Sequence, residues 1–164
     1  MDTIKTGIIG CGNISGIYLA NMATRFPVLD VTACADLDPA RARAAPGTVA
    51  GVRAMAVDEL LADPAIGIVV NLTVPAAHAD IALRAVEAGK SVYNEKPLAV
   101  TRDEAERLRQ AADAAGVRVG CAPDTFMGAG LQTCRKLVDE GAIGTPVAVC
   151  GFFMCPGHER WHPN

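Results

Sequence analysis

The sequence predicts an α/β fold, a doubly wound parallel sheet with helices on both faces. Three observations carry that expectation. Short apolar runs alternate with longer stretches of helical spacing, six times along the chain. The clearest run, Ile66–Leu72 (IGIVVNL), is apolar almost throughout, as a parallel strand covered on both faces requires. Several glycines also sit at the first junction between a strand pattern and a helix pattern.

Each element has its own signal. Lys5–Gly10 reads as a buried strand, and Asn13–Arg25 as a helix with apolar residues at Ile14, Ile17, Tyr18 and Met22. Val28–Ala35 is a second strand. Asp38 then caps a short helix with Pro39 at its first position, and Pro46 and Gly47 break it. Val52–Ala56 is a weak strand and Val57–Ala62 a short helix. After Ile66–Leu72 the spacing predicts a helix over Ala76–Ala88, closed by Gly89. Ser91–Asn94 is the next strand. Thr101 and Glu104 form a capping box for a helix over Arg102–Ala115, which Gly116 ends. Val117–Cys121 reads as a strand, Gly128–Glu140 as a helix and Pro146–Met154 as a last strand.

The 164 residues hold one ordinary domain plus a fragment of another. The expected division is a first domain over residues 1–122 and a connecting helix over 123–143. Residues 144–164 are expected to begin a truncated second α/β domain, with Pro146–Met154 as its first strand. With 51% hydrophobic and 20% charged residues the chain has a globular profile. A net charge of −3 argues against nucleic acid as a partner. The best basic cluster, Arg102, Arg107 and Arg109, is interleaved with Asp103, Glu104 and Glu106 and reads as a solvated face. No run reaches membrane-spanning length and no leader pattern opens the sequence, so a cytoplasmic protein without a membrane partner is expected.

Six cysteines, Cys11, Cys34, Cys121, Cys134, Cys150 and Cys155, include no C-x-x-C pair. They read as buried, reduced, small hydrophobes, and no metal site is expected. Cys155 with His158 is the one pairing at ligand spacing.

The first chemical motif is Gly10-Cys11-Gly12-Asn13-Ile14-Ser15-Gly16, between the first strand and the first helix. That is the context of a dinucleotide loop. Gly10 permits the tight turn. Gly12 lets the backbone approach a pyrophosphate, whose charge rests on the N–H groups at the helix start. Ser15 stands where a third glycine would be, and is small enough for close helix–strand packing. Asp36, at the end of the second strand, is placed to bind both hydroxyls of the adenosine ribose. Its carboxylate would repel a 2′-phosphate, and Leu37, Asp38, Pro39 and Ala40 supply no cation. NAD is therefore expected over NADP. The third motif is Glu95-Lys96-Pro97 at the end of a strand, the edge where open α/β sheets bind ligands. From spacing alone Lys96 reads first as a surface lysine ahead of a turn proline. The alternative is a cation that stabilises alkoxide charge on a substrate oxygen.

Four stretches together resemble the glucose–fructose oxidoreductase/inositol dehydrogenase (Gfo/Idh/MocA) family. They are Gly10–Gly16, Ala35-Asp36, the run from Asn71 through Thr73 and Pro75 to His78, and Glu95-Lys96-Pro97-Leu98. Glu140-Gly141-Ala142-Ile143-Gly144 adds to the likeness, which covers residues 4–154. The resemblance implies a Rossmann dinucleotide-binding fold and an NAD-dependent dehydrogenase. Its reaction would be hydride transfer between nicotinamide and a sugar, cyclitol or related polyol. Gly10, Gly12, Asn13, Ile14, Ser15 and Asp36 would hold the cofactor. Thr73, Pro75 and His78 would border its nicotinamide ribose and diphosphate. Glu95 and Lys96 would lie near the nicotinamide, with Lys96 on the substrate hydroxyl, and Pro97 would follow a cis bond. Family members are typically much longer, and their second domain supplies an Asp and a His that have no match here. This chain alone is accordingly expected to be inactive, and the full-length form to be a homo-oligomer. His158 and His162, just past the expected first strand of that domain, read first as a substrate-pocket rim or a turn, with the missing base as the alternative, and Trp161 near them is a candidate for stacking on a sugar face.

Three other functions fit the same residues. One is redox-assisted elimination or hydrolysis of a sugar derivative. Another is a dinucleotide-sensing regulator without catalysis, which the intact Glu95-Lys96 argues against. The third is an accessory subunit that relies on a partner for the missing histidine.

Overall fold

The computed structural model describes residues 3–47 and 49–157. The strands are β1 (Ile4–Ile9), β2 (Leu29–Ala35), β3 (Arg53–Met55), β4 (Ile68–Asn71), β5 (Ser91–Asn94) and β6 (Val119–Cys121). The helices are α1 (Ser15–Arg25), α2 (Pro39–Ala44), α3 (Val57–Ala62), α4 (His78–Glu87), α5 (Arg102–Ala115) and α6 (Ala129–Asp139). Short 3-10 turns at Pro75–Ala77 and Thr125–Met127 precede α4 and α6. The strands form one sheet in the order β3-β2-β1-β4-β5-β6, and every pairing is parallel. The order reverses between β1 and β4, which makes that junction the topological switch point.

The pleat of the sheet feeds two cores. Ile8, Cys34 and Val70 point to one face and pack with Leu19 and Met22 of α1 and Ala42 of α2. Ile9, Ala33, Val69 and Val92 point to the other and pack with Leu60 of α3, Ile81 and Ala82 of α4, and Leu108 of α5. Consecutive strand residues are thus buried on opposite faces, which is why the strands read as continuous apolar runs. The sequence also predicts the caps. Asp38 Oδ1 accepts from Ala40 N at 2.8 Å, Thr101 Oγ1 from Glu104 N at 3.2 Å, and Glu104 Oε2 from Thr101 N at 2.9 Å. Gly116 ends α5 with φ of 68°, a conformation costly for any residue with a Cβ.

Below the sheet, Lys90 is 3% exposed, and its ammonium donates to Asp63 O at 2.7 Å and Ile66 O at 2.9 Å. Burial pushes its pKa down, with the Asp63 charge opposing. The lysine ties the end of α3 to the approach to β4.

Four expectations need correction. The helix over Ala76–Ala88 is divided, with a 3-10 turn first and α4 beginning only at His78. The buried stripe of α1 is Ser15, Leu19 and Met22, at i, i+4 and i+7, so Ile14 and Ile17 face outward and Ile17 is 61% exposed. Cys11 and Cys34 are buried and Cys121 partly so, but Cys134, Cys150 and Cys155 are exposed. Finally, Pro146–Met154 forms no strand, and residues 145–157 contain neither helix nor sheet. A strand is completed by a neighbour's backbone, and among the described residues none pairs with this run; Val147 is 96% exposed.

The chain divides into two compact units, Met1–Pro123 and Asp124–Asn164. The second carries α6, whose Arg135–Asp139 and Lys136–Glu140 pairs lie one turn apart on an exposed helix. His158, Trp161 and His162, and with them the Cys155–His158 pairing, lie outside the described residues.

Candidate functional site

The register of the sheet brings the predicted motifs to one edge. Ile9 is level with Ala35 on one side and with Asn71 on the other, and Asn71 is level with Asn94. The chain therefore leaves β1, β2, β4 and β5 at the same height. The ladder runs one residue further, with Gly10 N donating to Ala35 O at 2.8 Å, Leu72 N to Ile9 O at 2.7 Å and Glu95 N to Asn71 O at 2.9 Å.

Gly10 is required here for two reasons. Its φ is +100°, and a Cβ on it would lie 2.6 Å from Leu72 C and 2.7 Å from Thr73 N. The loop after β1 thus abuts the turn after β4 at the switch point. A Cβ on Gly12 would meet nothing within 4 Å, so its outer side is open. Ser15 is buried, and its hydroxyl donates to Gly12 O at 2.7 Å, closing the loop on itself. Ile14 precedes α1 as its N-cap residue, and no side chain caps the helix there. Asn13 and Ile14 are exposed beside Gly12.

Asp36 leaves β2 half-buried and is fixed by two amides. Its Oδ2 accepts from Cys11 N at 2.7 Å and its Oδ1 from Asp38 N at 2.8 Å. The carboxylate is therefore pinned to the glycine loop itself. The hydrogen bond with Cys34, burial and the Asp36 charge all push the Cys11 thiol up, which keeps it protonated and unreactive.

The turn after β4 is organised by Asn71, which is fully buried. Its Oδ1 accepts from Thr73 N at 3.2 Å and Thr73 Oγ1 at 2.7 Å, while its Nδ2 donates to His78 O at 3.1 Å. Pro75 is exposed on this turn. His78 does not meet the crevice as expected, because its ring is 1% exposed. Nδ1 lies 2.6 Å from Pro97 O and Nε2 2.9 Å from Thr73 O, so both nitrogens are taken by backbone. The ring reaches the crevice only through those two residues.

Glu95 is half-buried at the end of β5. Its Oε1 accepts from Tyr18 Oη at 2.8 Å and its Oε2 from Lys96 N at 2.8 Å. Lys96 and Pro97 are exposed, and the peptide between them is cis. Among the described residues the Lys96 ammonium has no hydrogen bond or ion pair. Asn94 is fully buried beneath them; its Nδ2 donates to Leu98 O at 3.0 Å, and its Oδ1 has no partner among the described residues. Burial, with the charge of Glu95, pushes the Cys121 thiol up, against the Ala122 amide.

Sequence reasoning assigned no role to Asn71 or Asn94, and took Tyr18 for a packing residue. The signal for the two asparagines was a polar residue closing each of two apolar strands. Nothing in the sequence pointed to the Tyr18 contact. A surface hollow of about 230 Å³ between α4 and α5, lined in part by Asp80, Glu104 and Arg107, contains none of the predicted site residues.

A glycine loop, a strand-end carboxylate and a lysine turn, gathered at the switch point of a parallel sheet, define a dinucleotide-binding α/β domain. The chain belongs to the GFO_IDH_MocA family, described as an oxidoreductase family with an NAD-binding Rossmann fold, whose model matches residues 4–122. It is 34% identical over 154 residues to an inositol 2-dehydrogenase of Ralstonia nicotianae, covering 88% of this chain and 44% of that protein. It is 28% identical over 144 residues to the scyllo-inositol 2-dehydrogenase (NADP(+)) of Bacillus subtilis, covering 87% of this chain and 39% of the other. Among solved structures, the WlbA dehydrogenase of Bordetella pertussis in complex with NADH and UDP-GlcNAcA matches with a TM-score of 0.80 and 28% identity. That match covers 87% of this chain and 41% of the other. The chain thus spans less than half the length of the curated relatives it matches, and corresponds to their cofactor-binding domain. No described helix is long and apolar enough to cross a membrane.

Proposed function

We propose that this chain is the NAD-binding part of a dehydrogenase acting on a CH–OH group of a sugar, cyclitol or related polyol. The observation that carries the reading is the Asp36 carboxylate hydrogen-bonded to the glycine loop at the switch point, with Lys96 emerging at the same sheet edge.

The residues fit a dinucleotide. No side chain caps the first turn of α1, which leaves that end to a pyrophosphate, and the space outside Gly12 is open for close approach. Both Asp36 oxygens are oriented by amides, and each retains a lone pair for a ribose hydroxyl. The same fixed negative charge disfavours a 2′-phosphate, which supports NAD over NADP. When bound, the dinucleotide supplies the hydride acceptor or donor. Lys96, charged and without a partner among the described residues, donates a hydrogen bond to the substrate oxygen and stabilises the alkoxide charge that develops there. Glu95, held by Tyr18 and by the Lys96 amide, keeps the turn that presents the lysine in place. The group that takes the hydroxyl proton is assigned to the part of the relatives that this chain does not span.

Calorimetric titration of the chain with NAD and NADP, beside Asp36→Ala, tests the reading. NAD-selective binding that weakens in the variant is the expected result. A chain that shows cooperative unfolding yet binds neither nucleotide would overturn it.

A further inference from the structure

We propose that Asn71 and Asn94 are a matched pair of positioning residues. By meeting on the carbonyl of His78 they fix the spacing between the Thr73 turn and the Lys96–Pro97 turn, which border the nicotinamide half of a bound dinucleotide. The asparagines themselves lie buried beneath that site. The assignment of the two turns to nicotinamide rests on the function proposed above; the bracing of the turns does not.

The two residues are equivalent by register. Asn71 closes β4, Asn94 closes β5, and they are level with each other and fully buried. Asn71 Nδ2 donates to His78 O at 3.1 Å, and Asn94 Nδ2 donates to the same oxygen at 3.4 Å. Each amide also serves the turn that follows its own strand. Asn71 Oδ1 accepts from Thr73 N at 3.2 Å and from Thr73 Oγ1 at 2.7 Å. The second hydrogen of Asn94 Nδ2 goes to Leu98 O at 3.0 Å, which closes a loop around Glu95, Lys96 and Pro97. The strand beneath that loop is tied as well, with Glu95 N donating to Asn71 O at 2.9 Å and Ala122 N to Asn94 O at 3.0 Å.

Stability alone does not account for Asn94. Its Oδ1 is buried without a partner among the described residues, a cost that an apolar side chain of similar shape would avoid. Turning the amide over would set that oxygen against two carbonyl oxygens, so the residue is used for its donors. Nor does His78 O depend on the asparagines, because a carbonyl in the first turn of a helix has a donor within the helix. What the pair adds is a link between two turns that no strand pairing joins.

Topology says which part of a ligand would feel that link. The glycine loop and Asp36 follow β1 and β2 and serve the adenosine half and the pyrophosphate. A dinucleotide crosses the switch point, so its other half reaches the ends of β4 and β5. A change in spacing between the Thr73 and Lys96 turns therefore acts on the nicotinamide half and spares the adenosine half.

Titrations of the chain with NAD and with ADP-ribose, which lacks the nicotinamide, separate the two halves. The parent should bind NAD more tightly than ADP-ribose. Asn94→Leu removes the donors at similar volume and should weaken NAD roughly tenfold while leaving ADP-ribose within about twofold. Asn94→Ala removes them without added bulk and should do the same, and Asn71→Leu should move the ratio in the same direction. Equal weakening of both ligands is what a merely structural role produces, and it overturns the proposal. A parent that binds the two ligands equally, a ratio moved by only one asparagine, or failure of both Asn94 variants to fold also overturns it. Amide hydrogen exchange needs no ligand. Exchange at Thr73 and Glu95 should quicken in the Asn94 variants while Gly10, across the switch point, exchanges as in the parent. Unchanged exchange at Thr73 and Glu95 overturns the bracing. A folded parent that binds neither ligand refutes the proposed function instead, and the exchange rates still decide whether the asparagines brace the turns.

Discussion

The Tyr18 hydroxyl donates a 2.8 Å hydrogen bond to Glu95 Oε1, across 77 residues of chain. It joins the helix that follows the glycine loop to the strand end that presents Lys96. Because the acceptor is a carboxylate and half-buried, the bond is stronger than an exposed neutral one. Tyr18→Phe should lower unfolding free energy by about 1–2 kcal/mol in a denaturant titration. An unchanged midpoint would show that Glu95 finds another donor.

Gly10 and Gly12 make opposite demands. Alanine at Gly10 would place a Cβ against the backbone of Leu72 and Thr73 at a positive φ, and backbone cannot swing aside. Gly10→Ala should cost about 3 kcal/mol or more of stability. Gly12→Ala meets only open space and should leave stability within about 0.5 kcal/mol of the parent. It should nonetheless weaken NAD binding roughly tenfold, about 1.4 kcal/mol, because its methyl group occupies the approach of the pyrophosphate. Parallel melts and titrations of the two variants check both halves. Equal stabilities would refute the close approach at Gly10.

Lys90 is expected to matter for stability alone. Lys90→Met keeps most of the stem's packing but leaves the carbonyls of Asp63 and Ile66 without their donor, at a cost of about 2–3 kcal/mol. Its folded pKa lies below the ordinary 10.5, so between those two values the unfolded chain binds more protons. Stability should therefore rise with pH through that alkaline window in the parent and stay flat in the variant. Urea titrations at several alkaline pH values read the difference.

At the acid end, Arg109 and then Gln110, by hydrogen bonds to its carboxylate, hold Glu106 down to about 2 from 4.5. A depressed carboxylate pKa contributes stability that is complete above the unfolded value and lost as pH falls through the folded one. The parent should thus lose stability progressively from pH 4.5 down to about 2, and Glu106→Gln should lose less over the same window. The effect should shrink in high salt, because the pair is exposed. Superimposable acid titrations of the two proteins would refute it.

Much of the fold was legible because its signals are local. The caps at Asp38 and Thr101 and the stop at Gly116 depend on hydrogen bonds within a few residues, and the sequence places them correctly. The glycine loop is equally local. The face of α1 was misread because Ile14, Ile17, Leu19 and Met22 are all apolar, and only the position of the sheet selects Leu19 and Met22. Pro146–Met154 was misread because apolar β-formers describe a strand's side chains without supplying its partner.

The amino-acid sequence by itself determined the alternation of strands and helices, the caps at Asp38, Thr101 and Gly116, the glycine loop between the first strand and helix, and the family. All of these follow from residues near one another in the chain. The tertiary structure alone decided the strand order β3-β2-β1-β4-β5-β6 and the common height at which four strands end. It also decided that Asp36 anchors on Cys11, that Tyr18 reaches Glu95, and that His78 turns from the crevice to two backbone carbonyls. The physical reason is common to them all: a hydrogen bond between residues distant in sequence has no local signature until the sheet sets its two ends side by side.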